Sequence, residues 1–168
     1  MTRIHITGNA GSGKTTLARL LGSRLGLPVC HLDDVVWQSG WRKTPADERV
    51  ARERELVAQK RWVIDGVSRT VREAADVIVL LDISRPVAYL RCAKRNWRYL
   101  FTSRPELPPR CPELLIAPHL VRLIWRFQTE ALPTIIDHAT ASGSDFYRIR
   151  NRDDRARLLR ALGVNQSG

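Results

Sequence analysis

No apolar run in the chain approaches the roughly 20 residues that a membrane-spanning helix needs. The N-terminal string Met1-Thr2-Arg3-Ile4-His5-Ile6 lacks the basic-then-apolar layout of a secretory signal and runs straight into a strand-like pattern. Both absences lead to the expectation of a cytoplasmic protein. Cysteine is scarce: Cys30, Cys92 and Cys111 are odd in number and far apart. That argues against a disulfide framework or a zinc ribbon and leaves them as buried or incidental thiols. The sequence also has no internal repeat and no low-complexity segment. Acidic residues are short as well, with 17 Asp and Glu against 28 Lys and Arg, a formal net charge of +11.

What is present is ordinary for a folded chain. Hydrophobic residues make up 43% and charged residues 27% of 168. That length suits one domain with a full core, spanning 1–168, and is too short for two comfortable ones. The positive excess attracts polyanions, nucleotides and nucleic acid alike, unless it is background from a chain that uses Arg where others use Lys. No helix-turn-helix, zinc-finger or aromatic-basic sheet motif singles out nucleic acid as the partner.

The strongest local signal is Gly8-Asn9-Ala10-Gly11-Ser12-Gly13-Lys14-Thr15, which matches G-x-x-x-x-G-K-[ST] at every fixed position. Glycines let the backbone curl so that successive N–H groups face phosphate oxygens. Lys14 brings a mobile charge to the β- and γ-phosphates, Thr15 offers a hydroxyl to Mg²⁺, and the helix that opens at Lys14 aims its positive end at the same anion. The string lies between an apolar strand and an amphipathic helix, the context such a loop requires. Binding of ATP with Mg²⁺ through residues 8–15 and Thr16 follows.

The remaining pattern alternates strands and helices. Residues 3–7 read as a buried strand, and Leu17, Leu20, Leu21 and Leu25 as the stripe of a helix that Gly26 ends. Residues 27–32 read as a second strand delivering Asp33 and Asp34, and 45–60 as a charged helix. Trp62-Val63-Ile64 is a short strand ending at Asp65-Gly66, and the unbroken apolar run 77–81 is a parallel strand covered on both faces. A basic helix over 87–99, a loop with four prolines between Thr102 and Pro112, and a long helical region to His138 follow. A last strand over 146–149 and a closing helix over 153–162 complete the chain. The expected fold is α/β: a three-layer P-loop NTPase domain with a central parallel sheet of about five strands and a helical, Arg-rich lid insertion over about 99–118.

With the early P-loop, the short length and the basic helix-loop-helix, the sequence resembles the small nucleoside and nucleotide kinases of the adenylate kinase type. Several strings resemble, more narrowly, the family of DNA topology modulation proteins: His31-Leu32-Asp33, Trp37 with Gly40-Trp41, Trp62-Val63-Ile64-Asp65-Gly66, Cys111-Pro112-Glu113 and Ile124-Trp125-Arg126-Phe127. That name describes a genetic phenotype, not a chemistry. The kinase resemblance implies that Asp65, in Asp65-Gly66-Val67-Ser68-Arg69, serves the magnesium and that Arg69 contacts an acceptor phosphate. It also implies a lid closing over the triphosphate. Arg91, Lys94, Arg95 and Arg98 share one helical face, with Arg104 and Arg110 in the loop. Of these, Arg91 is expected at the nucleotide and Arg95 and Arg104 at the transferred phosphoryl group. No paired-Cys lid metal is expected. Arg150, with Arg148 and Asn151, falls where that family's loop lies against the base.

Other candidates rest on the residues themselves. Asp33 beside the P-loop is placed to take a proton from an acceptor hydroxyl, or to help hold magnesium, with Asp34 next to it. Asp82 ends another apolar strand and rivals Asp65. His31 reads as a core-facing strand residue. Trp37 and Trp41 either flank an acceptor ring or simply pack. These expectations add up to an ATP-dependent phosphotransferase with a small acceptor, nucleotide or nucleoside foremost. Arg69 points to an acceptor that already bears phosphate and Asp33 to a hydroxyl nucleophile. The alternatives are a nucleotide-dependent DNA-binding regulatory ATPase and a nucleic-acid end kinase.

Overall fold

Residues 4–8, 62–65 and 77–81 are buried on both faces of a sheet. The computed structural model describes residues 2–39, 42–98 and 113–164, the side chains of 95–98 and 113–117 excepted. Its strands are β1 (Arg3–Gly8), β2 (Val29–His31), β3 (Trp37–Gln38), β4 (Arg42–Lys43), β5 (Trp62–Asp65), β6 (Val77–Leu81) and β7 (Asp145–Ile149). Five form one parallel sheet in the order β2-β5-β1-β6-β7, and β3 pairs antiparallel with β4 as a separate ribbon. The helices are α1 (Lys14–Leu25), α2 (Leu32–Val36), α3 (Ala46–Val57), α4 (Arg69–Ala74), α5 (Arg85–Arg98), α6 (Glu113–Arg126), α7 (Leu132–Ala141) and α8 (Arg152–Ala161).

Side chains two apart in a strand share a face. Ile4, Ile6, Val63, Val77 and Val79 therefore meet α1 and α8 through Leu17, Leu21 and Leu158. Trp62, Ile64 and Ile78 point the other way, against Val71 of α4 and Ala139 of α7. Leu80 completes that layer with Phe127 and Ile135. Helices on both faces of a parallel sheet are the three layers expected from the sequence. Among the described residues no helix is long and apolar enough to cross a membrane.

The differences from expectation are local. The second strand is shorter than 27–32. Leu32 turns into α2, and Asp33 and Asp34 occupy its first turn, where carboxylates suit the positive helix end. The short helix α4 and the β3–β4 ribbon carry too few residues to show a period. Helix α6 is separated from α7 by a π turn over Phe127–Ala131. Pro133, at the start of α7, has no N–H to continue an α-helical ladder, which explains why the hydrogen-bond pattern changes just before it. Of the expected lid segment, residues 113–118 are the first turns of α6, and 99–112 lie outside the described residues.

In this topology the carboxyl ends of β1, β5 and β2 lie side by side, with Ile6 in register with Asp65 and His31 with Asp65. Open parallel sheets bind their ligands along that edge, where the strand order reverses. Here β1 releases its chain into the P-loop, β5 ends in Asp65, and β2 ends in His31.

Candidate functional site

The P-loop runs from the end of β1 into α1. Its first helical turn contains no acidic residue, and Gly13 at the N-cap provides no side-chain cap. The positive end of the helix dipole therefore faces the loop with no acidic side chain of its own first turn against it. Gly11 also lets the loop lie against α5, because a Cβ there would stand 3.0 Å from the Ala88 carbonyl oxygen and from Cys92 Sγ. Asn9 fixes the loop from the other side. Its amide donates to the Ile124 carbonyl of α6 at 3.1 Å, and its carbonyl accepts from the Ala10 N–H at 2.8 Å. Lys14 Nζ is held over the loop by the carbonyls of Gly8 at 3.0 Å and Asn9 at 2.9 Å.

At the foot of the loop, the Thr15 hydroxyl donates to Asp65 Oδ2 at 2.9 Å. The other carboxylate oxygen, Oδ1, accepts from His31 Nδ1 at 2.6 Å. Asp65 is buried and His31 is largely so, with 5% and 16% of their side chains exposed. The bond to Asp65 raises the His31 pKa above that of a free imidazole, and burial opposes the rise only in part. His31 thus turns toward the site and not, as its strand position suggested, into the core. Beneath it, His5 is fully buried, and its Nε2 donates to the Gly66 carbonyl at 3.1 Å. Gly66, at φ 137°, passes so close to Leu32 that a Cβ would come within 2.6 Å of that side chain. This contact brings α2 against the end of β5.

The P-loop, His31, Leu32, Asp65 and Gly66 line a cleft of about 860 Å³. Every residue from Gly8 to Thr16 borders it except Ser12, whose buried hydroxyl has no hydrogen-bond partner among the described residues. Asp33, Trp37, Lys43 and Arg49 line it too, and α5 contributes Arg91 and Lys94. Among the described residues, with Lys14 and Arg19, the lining holds six Lys and Arg side chains against the two carboxylates of Asp33 and Asp65. Such an excess within low-dielectric walls concentrates anions. Arg49 is braced from behind: its Nε lies 3.7 Å from Glu53 Oε1, and buried Glu53 accepts from the Ser68 hydroxyl at 2.7 Å. Ser68 in turn caps α4, accepting from the Val71 N–H at 3.2 Å. Lys43 Nζ lies 5.7 Å from the centre of the Trp37 ring, and His119 of α6 meets that ring edge-on at 6.2 Å.

Several sequence candidates lie away from the cleft. Arg69 is 83% exposed and pairs with Glu73 at 2.7 Å, one turn along α4; the turn after Gly66 carries it outward. Arg148 and Arg150 converge on Asp82 at 2.8 and 3.4 Å. Asp82, the rival to Asp65, is thereby committed to arginines, and neither it nor Arg150 is among the lining residues. Asn151 is occupied as the N-cap of α8, in a capping box with Asp154. Asp34 borders Asp33 without lining the cleft. Arg95 lies on α5 with its side chain outside the described residues, and Trp41, Arg104 and Arg110 are outside them entirely. The sequence reading missed Arg19, Lys43, Arg49 and His119.

Among the described residues, no group of three or more His, Cys, Asp and Glu side chains gathers to hold a metal. The Thr15 hydroxyl and the Asp65 carboxylate are hard oxygen donors in direct contact. They fit magnesium, which takes one or two protein oxygens and completes its shell with water and substrate phosphates.

The comparisons with known proteins bear on the fold. No curated protein matches the sequence. A sugar kinase from Janibacter sp. HTCC2649 is 17% identical, with a TM-score of 0.55 over 98% of this chain and 96% of its own. The shikimate kinase of Acinetobacter baumannii in complex with shikimate is 18% identical, with a TM-score of 0.56 over 99% and 96%. The deoxyadenosine kinase of M. mycoides with bound dATP is 14% identical, with a TM-score of 0.53 over 95% and 98%. At such identities the likeness concerns the fold, that of the P-loop kinases, and gives no support to the narrower resemblance to DNA topology modulation proteins. The family model described as AAA domain matches residues 4–99, more than half of the chain, and the protein belongs to that family.

Proposed function

We propose that the protein transfers the γ-phosphoryl group of ATP to the hydroxyl of a small, negatively charged acceptor. The observation that carries this reading is that one cleft is lined both by the P-loop and by Asp33, Lys43 and Arg49. The P-loop amides and Lys14 would take the β- and γ-phosphates, and Thr15 with Asp65 would hold magnesium. Magnesium, when bound, supplies positive charge to the phosphate oxygens.

Asp33 faces the cleft in the first turn of α2, placed to accept the proton of an acceptor hydroxyl as its oxygen bonds to the γ-phosphorus and the bond to the β-phosphate oxygen breaks. Arg49, braced by Glu53, and Lys43 would hold the acceptor's anionic group, with Trp37 covering its apolar part. Arg91 and Lys94 would meet the charge that spreads over the transferred group. Most of the rate enhancement then comes from positioning and fixed charge. A sugar, shikimate and deoxyadenosine, after which the three similar structures are named, are all hydroxyl compounds. Arg69, turned outward onto Glu73, no longer argues for an acceptor phosphate at that position. The lid function of residues near 99–118 and the reading of 1–168 as one catalytic domain belong to the same proposal. The test is transfer of labelled phosphate from ATP across a panel of hydroxy acids, nucleosides and nucleoside monophosphates. Transfer to charged hydroxyl compounds is expected, and hydrolysis with no acceptor dependence would refute the proposal.

A further inference from the structure

We propose that His31 is a positioning residue for the magnesium carboxylate, donating from Nδ1 to one oxygen of Asp65 so that the other stays turned to Thr15. The inference rests on the reading of Thr15 and Asp65 as the magnesium-holding pair.

The chain of contacts is short and complete. His31 Nδ1 stands 2.6 Å from Asp65 Oδ1, and the Thr15 hydroxyl donates to Asp65 Oδ2 at 2.9 Å. An aspartate's terminal torsion is broad and nearly two-fold, so a carboxylate held at one oxygen swings easily. Donors at both oxygens remove that freedom. The geometry also fixes the direction of the Thr15 proton: it points at Asp65, and the hydroxyl lone pairs remain for a cation. Because a carboxylate oxygen can only accept, Nδ1 carries the proton in this bond, whichever state Nε2 is in.

The strand pairing builds the arrangement. His31 and Asp65 are register partners at the ends of neighbouring parallel strands, so their side chains leave the sheet on the same face. Leu32, the residue after His31, packs on Gly66, the residue after Asp65, which ties the two strand ends together just beyond the pair. Groups that orient a metal's ligands change affinity by about 10- to 100-fold when removed.

The experiment measures how magnesium changes the affinity for a non-hydrolysable ATP analogue, by equilibrium fluorescence and without turnover. Three variants are compared with wild type: His31→Asn, whose amide replaces the Nδ1 donor, His31→Gln, whose amide falls nearer the Nε2 position, and His31→Phe, which has no donor. Urea denaturation reports folding for each. The expected result is an affinity for magnesium in the ternary complex about 10-fold weaker in His31→Phe and His31→Gln, with His31→Asn close to wild type and magnesium-free nucleotide affinity the same in all four. Equal magnesium affinity in wild type and a folded His31→Phe would overturn the inference while leaving the Thr15–Asp65 reading intact. So would tighter magnesium binding in His31→Phe, which would make His31 a repelling charge. If His31→Phe does not fold, the Asn and Gln variants decide, and equal weakening in both overturns the inference. Wild-type nucleotide binding that ignores magnesium would overturn the inference together with the metal reading beneath it.

Discussion

Acid should destabilise this protein through His5, a residue within one strand of the nucleotide site. His5 is fully buried on β1, and its Nε2 donates to the Gly66 carbonyl. Burial lowers its pKa from 6.5 to about 4, Arg72 and His138 push in the same direction, and the Gly66 carbonyl and Asp65 resist. The folded chain therefore keeps His5 neutral down to about pH 4, whereas the unfolded chain protonates it below 6.5. Between those values the unfolded state binds the extra proton, so stability falls as the pH falls, and this loss stops once the folded form also protonates. At about 1.4 kcal/mol per pKa unit, lowering the pH from 7 to 4.5 should cost about 2 kcal/mol from this group alone. That is a large share of a domain's usual stability of about 5–15 kcal/mol. The assay is urea denaturation across that range for wild type and His5→Gln, in which an amide donates to Gly66 without titrating. The carboxylates titrate alike in both proteins and cancel in the difference. The stability gap in favour of wild type should shrink by about 2 kcal/mol as the pH falls. Parallel curves would show that His5 is not held neutral by burial.

Two further predictions concern cleft residues outside the P-loop. Asp33→Asn should lower phosphoryl transfer by at least about 100-fold, the range of general-base contributions, with little change in nucleotide affinity; equal losses in both would make Asp33 a structural or metal-holding residue. Arg49→Ala should raise the KM for a charged acceptor about 10-fold or more while the KM for ATP stays fixed, and Arg69→Ala should change neither. An effect of Arg69→Ala on acceptor KM would contradict the outward placement of that side chain.

The layers of the fold were legible because they rest on runs with a period. The strand 77–81 and the helix Lys14–Leu25 occur where apolar spacing put them. The P-loop was legible because its residue types have mechanical reasons to stand at fixed intervals. The contact of Asp65 with Thr15, 50 positions apart, follows from β5 pairing beside β1, an arrangement that only resemblance suggested. His31 was misread because a single strand residue has two faces, and parallel register with Asp65 decides between them. Arg49 depends on Glu53, Ser68 and α4 meeting in space, and no local pattern carries that. Arg69 and Arg150 failed to reach the cleft for a related reason. Nearby acids, Glu73 and Asp82, were available to them, and a basic residue after a strand goes to the carboxylate that the packing brings closest.

The measurement that bears most directly on the account is the transfer of label from γ-labelled ATP to charged hydroxyl compounds, with product identified by phosphorus NMR and Lys14→Ala run beside wild type. The account predicts a phosphorylated acceptor in equal amount to ADP from wild type, and loss of that product in a folded Lys14→Ala. Inorganic phosphate as the sole product with every acceptor, or undiminished transfer by Lys14→Ala, would contradict it.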